Sequence, residues 1–198
     1  MELIQKSEEL KSLLKQKKKD GHTIGFVPTM GALHSGHLSL IEKARTECDI
    51  VVCSIFVNPT QFNEKSDLDK YPRTLEADSA LIESMCDVLF VPESVEEIYG
   101  KKITLQEFDF GGLENELEGE FRPGHFQGMA NVVSILLKLV LADKAYFGLK
   151  DYQQFKIVEK LTKLIDLDTK IVGCPIVRED NGLARSSRNE LLTASGRK

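Results

Sequence analysis

Residues 24–38 read Ile24-Gly-Phe-Val-Pro-Thr-Met-Gly-Ala-Leu-His-Ser-Gly-His-Leu38, and this stretch sets the fold class. An apolar run at 24–27 meets a Pro–Gly loop, and an apolar-periodic segment begins near Leu38. That pattern predicts a strand, a tight turn and a helix start. Gly31 and Gly36 permit close backbone approach and positive φ, and Ser35 is the expected N-cap. A helix starting there would offer backbone N–H groups and a partial positive charge to an anion. His34 and His37 fall on one side of the first turn. Imidazoles so placed can donate hydrogen bonds to phosphoryl oxygens and stabilise charge that develops during transfer. The turn is neither G-x-G-x-x-G nor a Walker A loop, which needs G-K-[ST]. The H-x-x-H spacing also admits zinc, although no Glu stands between the histidines and no Cys pair lies nearby. A Gly-rich turn with two exposed histidines and no ligand is the plain alternative.

Outward from that turn, strand and helix patterns alternate. Residues 7–19 carry Leu10, Leu13 and Leu14 at helical spacing, and Asp20-Gly21 ends the run. Lys15 to Lys19 reads as a solvated helix end, where cations favour the C-terminal dipole. The first strand is expected over 23–27 and a helix over 38–47. Residues 50–57 are almost continuously apolar, as in a parallel strand covered on both faces. A helix from about 73 to 85, a strand at 88–91, and a short strand or excursion within 98–112 follow. The segment 113–126 is polar and turn-rich. A buried helix at about 128–141, a strand at 145–148, a helix at 152–164 and a strand at 169–172 complete the pattern. The alternation predicts a Rossmann-like, doubly wound α/β fold, its sheet mostly parallel with helices on both faces.

With 198 residues, 41% hydrophobic and 29% charged, the chain suits one large domain or one domain with an appendage. The net charge of −5 argues against general nucleic-acid binding but allows a local cationic pocket. Cys48, Cys53, Cys86 and Cys174 show no C-x-x-C spacing, and three lie in or beside apolar runs. Buried free thiols in a reducing cytoplasm are expected. Residues 1–6 have no long apolar core of the signal-peptide kind, and no apolar run approaches the ~18 residues of a membrane span.

In such a fold the residues that follow each strand gather at the ligand-binding edge. These are His34 and His37, then Asn58 and Gln61, then Lys150, Asp151 and Gln154, and finally Arg185-Ser186-Ser187-Arg188. The cations would give charge-assisted bonds to a triphosphate, and the serines would add hydroxyl donors. No G-x-S-x-G and no Cys–His signature supplies a nucleophile. The group therefore points to adenylyl transfer, in which ATP is positioned and its charge neutralised.

The strings PTMGALHSGH (28–37), FVNPTQF (56–62), YPRTLEAD (71–78), LEGEFRPGHF (117–126), YFGLKDYQQF (146–155) and PIVREDNGLARSSRN (175–189) closely resemble the pantothenate synthetase (pantoate–β-alanine ligase) family. The resemblance runs in order from about residue 3 to residue 196. That family belongs to the HIGH-signature nucleotidyltransferases. Its first signature matches His34-Ser-Gly-His37, and the Ser-Ser loop matches the KMSKS-type motif of related tRNA synthetases.

The resemblance implies ATP-dependent ligation of (R)-pantoate and β-alanine through a pantoyl-adenylate, with Mg²⁺ carried on the ATP phosphates. It implies an ATP site at Met30, Gly31, Ala32, Leu33, His34, Ser35, Gly36 and His37. Gly148, Leu149, Lys150, Asp151 and Val177, then Arg185, Ser186, Ser187 and Arg188, would complete it. His37, His34 and Lys150 would be catalytic. Gln61 and Gln154 would hold pantoate, Gln61 would border β-alanine, and Asp78 is a candidate contact to Mg²⁺. A cytoplasmic homodimer that binds neither nucleic acid nor membrane is expected. The segment 111–126 and the Ser-Ser loop are the expected covering elements.

Departures from the family pattern are Leu149, where a Glu is common, and Arg185, where a Met is usual. Family members also continue well past this length. Residues 1–185 therefore read as an N-terminal nucleotide- and pantoate-binding domain. Residues 186–198 read as the ATP loop and the start of an absent C-terminal domain. Two alternatives remain open: a different nucleotidyltransferase of the superfamily, and a domain that binds ATP and pantoate without turnover.

Overall fold

Six strands, β1 (Glu2–Ile4), β2 (Ile24–Thr29), β3 (Ile50–Ile55), β4 (Val88–Phe90), β5 (Lys144–Gly148) and β6 (Lys170–Cys174), form one sheet. Their order is β1-β4-β3-β2-β5-β6, and every pairing is parallel. The computed structural model of the chain describes residues 1–62, 64–193 and 196, with Glu190 and Leu191 described by backbone alone. The sheet is parallel throughout, where the sequence indicated a mostly parallel one.

Alternation along the strands builds two apolar layers, because successive side chains point to opposite faces. Phe26, Val52, Val88, Phe90, Ala145 and Phe147 face one side. There they meet Leu10 and Leu14 of α1 (Ser7–Lys19), most of α7 (His125–Val140), and Ile157, Val158 and Leu161 of α8 (Tyr152–Leu164). Val27, Val51, Cys53, Leu89 and Tyr146 face the other side, against Leu40, Ile41 and Ala44 of α2 (Ser35–Glu47) and Ile82 of α4 (Leu75–Ile82). At Gly25 a Cβ would sit 3.1 Å from Cys48 Sγ and 3.3 Å from Ala44 Cβ, so the bare backbone lets α2 lie close to β2.

The sheet opens where it must for a site. β2 pairs with β3 along its whole length but with β5 only at Gly25 and Phe26. The carbonyls of Thr23 and Thr29 bond toward β3 and that of Ile24 toward β5, so Pro28 also faces β5, beyond the last pairing. Its missing N–H interrupts no ladder there. This is also the switch point, where the chain order reverses and α/β sheets place ligands.

Several boundaries differ from the sequence reading. β2 extends two residues further, to Thr29, and α4 stops at Ile82. α7 begins at His125, three residues early, after Gly124 turns the chain at φ 77. The edge strand β1 and the short α3 (Lys65–Lys70) were not anticipated. Two further short helices, α5 (Val95–Tyr99) and α6 (Glu118–Phe121), flank the irregular middle section.

No strand forms within 98–112. Instead Asn131 and Gln127, one turn apart on α7, each offer an amide to that segment. Asn131 accepts from the Gln106 N–H and donates to its carbonyl, both at 2.8 Å. Gln127 does the same for Phe108, at 3.1 and 2.7 Å. Side-chain amides thus satisfy the backbone groups that a neighbouring strand would otherwise pair.

Candidate active site

The cleft lies at the C-terminal ends of β2 and β5 and is lined by side chains from every predicted cluster. Met30, His34, Gly36 and His37 come from the first turn, and Gln61 from the turn after β3. Gly148, Lys150, Asp151 and Gln154 follow β5, and Val177 with 185–188 follows β6. Gly31, Ala32, Leu33, Ser35, Asn58, Asp78 and Leu149 are not among the lining residues.

The first turn is built differently from the expectation. The cap of α2 is His34, not Ser35: its Nδ1 accepts the Gly36 N–H at 3.1 Å. The His34 N–H in turn donates to His37 Nδ1 at 3.3 Å. The His37 and Leu38 N–H groups both donate to the His34 carbonyl, at 2.8 and 3.1 Å, so with Gly36 engaged by the ring these are not the free donors expected of a helix start. Because each Nδ1 accepts, each ring hydrogen resides on Nε2. The two rings stack with centroids 4.1 Å apart. Burial, then the charges of His34 and Lys150, push the His37 pKa down to about 3. Burial, then Arg185 and Lys150, lowers that of His34. Both rings are neutral Nε2–H donors at neutral pH.

Asp78 holds this turn from behind. Buried on α4, it accepts the Ala32 N–H through Oδ2 and the Leu33 N–H through Oδ1, both at 2.8 Å, and Thr74 Oγ1 at 3.2 Å. Ala32 sits at φ 50, a left-handed conformation that favours glycine and needs support from its surroundings. Asp78 supplies that support. Each of its two oxygens accepts a main-chain N–H, so in this structure it anchors the 32–33 backbone. Among the described residues no three His, Cys, Asp or Glu side chains gather as a metal site.

Gln61 is fixed on both sides. Its Oε1 accepts from Asn58 Nδ2 at 3.1 Å and its Nε2 contacts Met30 Sδ at 2.9 Å. Lys150 Nζ lies 3.0 Å from Asp151 Oδ1. Arg188 pairs with Asp67 Oδ2 at 3.1 Å and lies over the Tyr71 ring. Arg185, one of the two departures, donates to Ser35 Oγ and pairs with Glu179 Oε1, each at 3.1 Å. It thereby ties the Ser-Ser loop to the start of α2. Leu149, the other departure, packs its Cδ2 over Gly173 of β6, where a Cβ would meet it at 2.7 Å.

Sequence reasoning missed five polar lining residues: Tyr146, Tyr71, Glu118, Arg122 and His125. The last three lie in the segment expected to cover the site. Their signal was the run Glu118-x-x-x-Arg122-x-x-His125, which places charges at helical spacings just ahead of a buried helix.

Comparison with known proteins follows the same line. The sequence model of the family described as pantoate-beta-alanine ligase matches residues 2–198. The chain is 51% identical to pantothenate synthetase of Christiangramia forsetii, covering 100% of this chain and 70% of that one. It is 52% identical to pantothenate synthetase of Porphyromonas gingivalis, covering 97% and 68%. A crystal structure of pantothenate synthetase from Thermus thermophilus superposes with a TM-score of 0.92 at 45% identity, covering 100% and 70%. Pantoate-beta-alanine ligase from Francisella tularensis, complexed with beta-gamma ATP and beta-alanine, gives 0.93 at 44% identity, covering 98% and 74%. A tyrosyl-tRNA synthetase from Archaeoglobus fulgidus, 13% identical with a TM-score of 0.59, shares the fold alone. The chain belongs to the pantoate–β-alanine ligase family.

Proposed function

We propose that this cleft joins pantoate to β-alanine at the expense of ATP through a pantoyl-adenylate. One observation carries the reading. His34, His37, Gln61, Lys150, Gln154 and 185–188, far apart in sequence, line one cleft at the switch point of the sheet.

In the first step a pantoate carboxylate oxygen attacks the α-phosphorus of ATP. The bond from that phosphorus to the bridging oxygen breaks, and pyrophosphate leaves with the electron pair. The carboxylate is already a nucleophile, so the step needs alignment and charge stabilisation, not a strong base. The Nε2–H groups of His34 and His37 and the Lys150 ammonium would meet the phosphoryl oxygens. The neutral amides of Gln61 and Gln154 can hold pantoate without quenching its nucleophilic charge. In the second step the β-alanine amine attacks the acyl carbon, the acyl–phosphate oxygen bond breaks, AMP leaves, and the amine loses a proton. Residues 111–126 and 185–188 would limit water, which otherwise hydrolyses the mixed anhydride. Mg²⁺ would travel with the ATP phosphates; the described residues offer no ligand set of their own.

Residues 1–185 would form the substrate-binding domain and the Ser-Ser loop its nucleotide-covering edge. The chain is expected to pair as a homodimer, which sedimentation measures directly. Incubation with ATP, pantoate and β-alanine should yield pantothenate, AMP and pyrophosphate in equal amounts. Formation of ADP and phosphate, or product without pantoate, would overturn the proposal.

A further inference from the structure

We propose that His125 is a positioning residue for the pantoate side of the cleft, acting through the main chain of Gln61. The proposal deepens the functional reading above and rests on it. His125 is buried, at 7% exposure, and its two ring nitrogens have different partners. Nδ1 lies 2.7 Å from the carbonyl oxygen of Gln61, which can only accept, so Nδ1 carries the hydrogen. Nε2 lies 3.2 Å from Arg122 Nη1, which can only donate, so Nε2 presents its lone pair. One neutral tautomer satisfies both contacts. Arg122 is itself anchored, with Nη1 2.5 Å from Glu118 Oε1.

The chain of contacts Glu118–Arg122–His125–Gln61 therefore joins α6, the first turn of α7 and the 3-10 turn Pro59–Gln61. On its other side Gln61 is held by Asn58, whose Nδ2 also donates to the Gly128 carbonyl at 3.2 Å. With its lone pair engaged by a guanidinium, His125 is not available as a proton acceptor for substrate. Its work is to set where the Gln61 amide sits and to tie that amide to Glu118 and Arg122 in the cleft wall.

Two variants separate the contacts. In His125→Asn the amide nitrogen occupies the Nδ1 position and keeps the bond to Gln61. In His125→Gln the terminal amide reaches the Nε2 position and keeps only Arg122. In pantoate-dependent exchange of pyrophosphate into ATP, His125→Gln should raise the pantoate KM about tenfold, the equivalent of one lost hydrogen bond. His125→Asn should raise it less than about threefold, and neither should move the ATP KM by more than about twofold. Equal effects from the two variants, or an ATP effect as large as the pantoate effect, would overturn the assignment.

A second readout needs no substrate. Long-range ¹⁵N correlation spectra should place the ring hydrogen on Nδ1 in the wild type and also in Arg122→Met, because the Gln61 carbonyl still requires a donor there. A hydrogen on Nε2 in the wild type refutes the geometry whatever the enzyme does with pantoate. An Nδ1 hydrogen without any pantoate response refutes the substrate reading, and with it the purpose given to His125.

Discussion

Replacing Gly128 by alanine sets two effects against each other. Gly128 lies within α7, where alanine is favoured over glycine by about 1 kcal/mol on helix propensity alone. A Cβ there, however, would lie 2.0 Å from the Thr60 carbonyl oxygen, 2.6 Å from its carbon and 3.0 Å from Gln61 Cα. All three are backbone atoms, so no side chain can swing away, and the gap to the oxygen must open by at least about 1.4 Å to reach ordinary contact. Overpacking of this kind costs about 1–3 kcal/mol, and more where backbone meets backbone. The Asn58 and Thr60 side-chain bonds to the Gly128 carbonyl stretch as well, at about 1 kcal/mol each. The clash wins, and we expect a net loss of about 2–4 kcal/mol. For a chain of this size that lowers Tm by roughly 4–15 °C. A shift of this size in the turn carrying Gln61 should lower pantoate-dependent exchange about 10²-fold. Differential scanning calorimetry and the exchange assay at saturating ATP read both effects. Gly148→Ala, at φ −74 with nothing within 4 Å, should shift Tm by no more than about 2 °C and serves as the folding control. A Gly128→Ala protein with unchanged Tm and unchanged pantoate KM would refute the packing argument.

The His37 pKa is near 3 in the fold against ~6.5 unfolded. As pH falls from about 6.5 toward 3 the unfolded chain takes up a proton that the folded ring refuses, so stability is present above that window and lost within it. His37→Gln should flatten the pH dependence of urea unfolding by up to about 1.4 kcal/mol per pH unit; an unchanged slope between pH 6 and 4 would contradict the burial. Asp78→Asn removes one of two charge-assisted anchors of the 31–33 turn, so unfolding free energy should drop by about 2–3 kcal/mol and ATP affinity should weaken. Titration with Mg²⁺ alone should be unaffected, and a variant of native stability that had lost Mg²⁺ binding would make Asp78 a metal ligand after all. All four cysteines are buried and free, with the Cys53 thiol raised by its neighbour Cys86 and by burial, and that of Cys174 by burial. A thiol reagent should therefore modify them only on unfolding; rapid reaction of the native protein would count against the packing of α2 and α4 on the sheet.

Much of the fold was legible because burial writes itself into the sequence. β3 is covered on both faces and reads as an apolar run, and α8 keeps its spacing from end to end. The edge strand β1 was invisible because three residues with one buried side chain carry no period. The missing strand in 98–112 failed for another reason. Its backbone partners are side chains 19 to 25 residues away, and local propensity cannot report them. In the site, most of the residues that line the cleft were readable from the turns that follow each strand. The way His34 caps α2 was not, because an imidazole rarely replaces a serine there and only the ring geometry shows it. Asp78 and His125 were missed as supports for the same reason: each acts on a backbone amide or carbonyl far away in sequence.

The most direct measurement is exchange of labelled pyrophosphate into ATP with pantoate present and β-alanine absent. An adenylate formed in this cleft requires exchange that depends on pantoate, needs no β-alanine, and falls sharply in Lys150→Met. Exchange without pantoate, exchange only when β-alanine is added, or a Lys150→Met protein as active as the wild type would contradict the account.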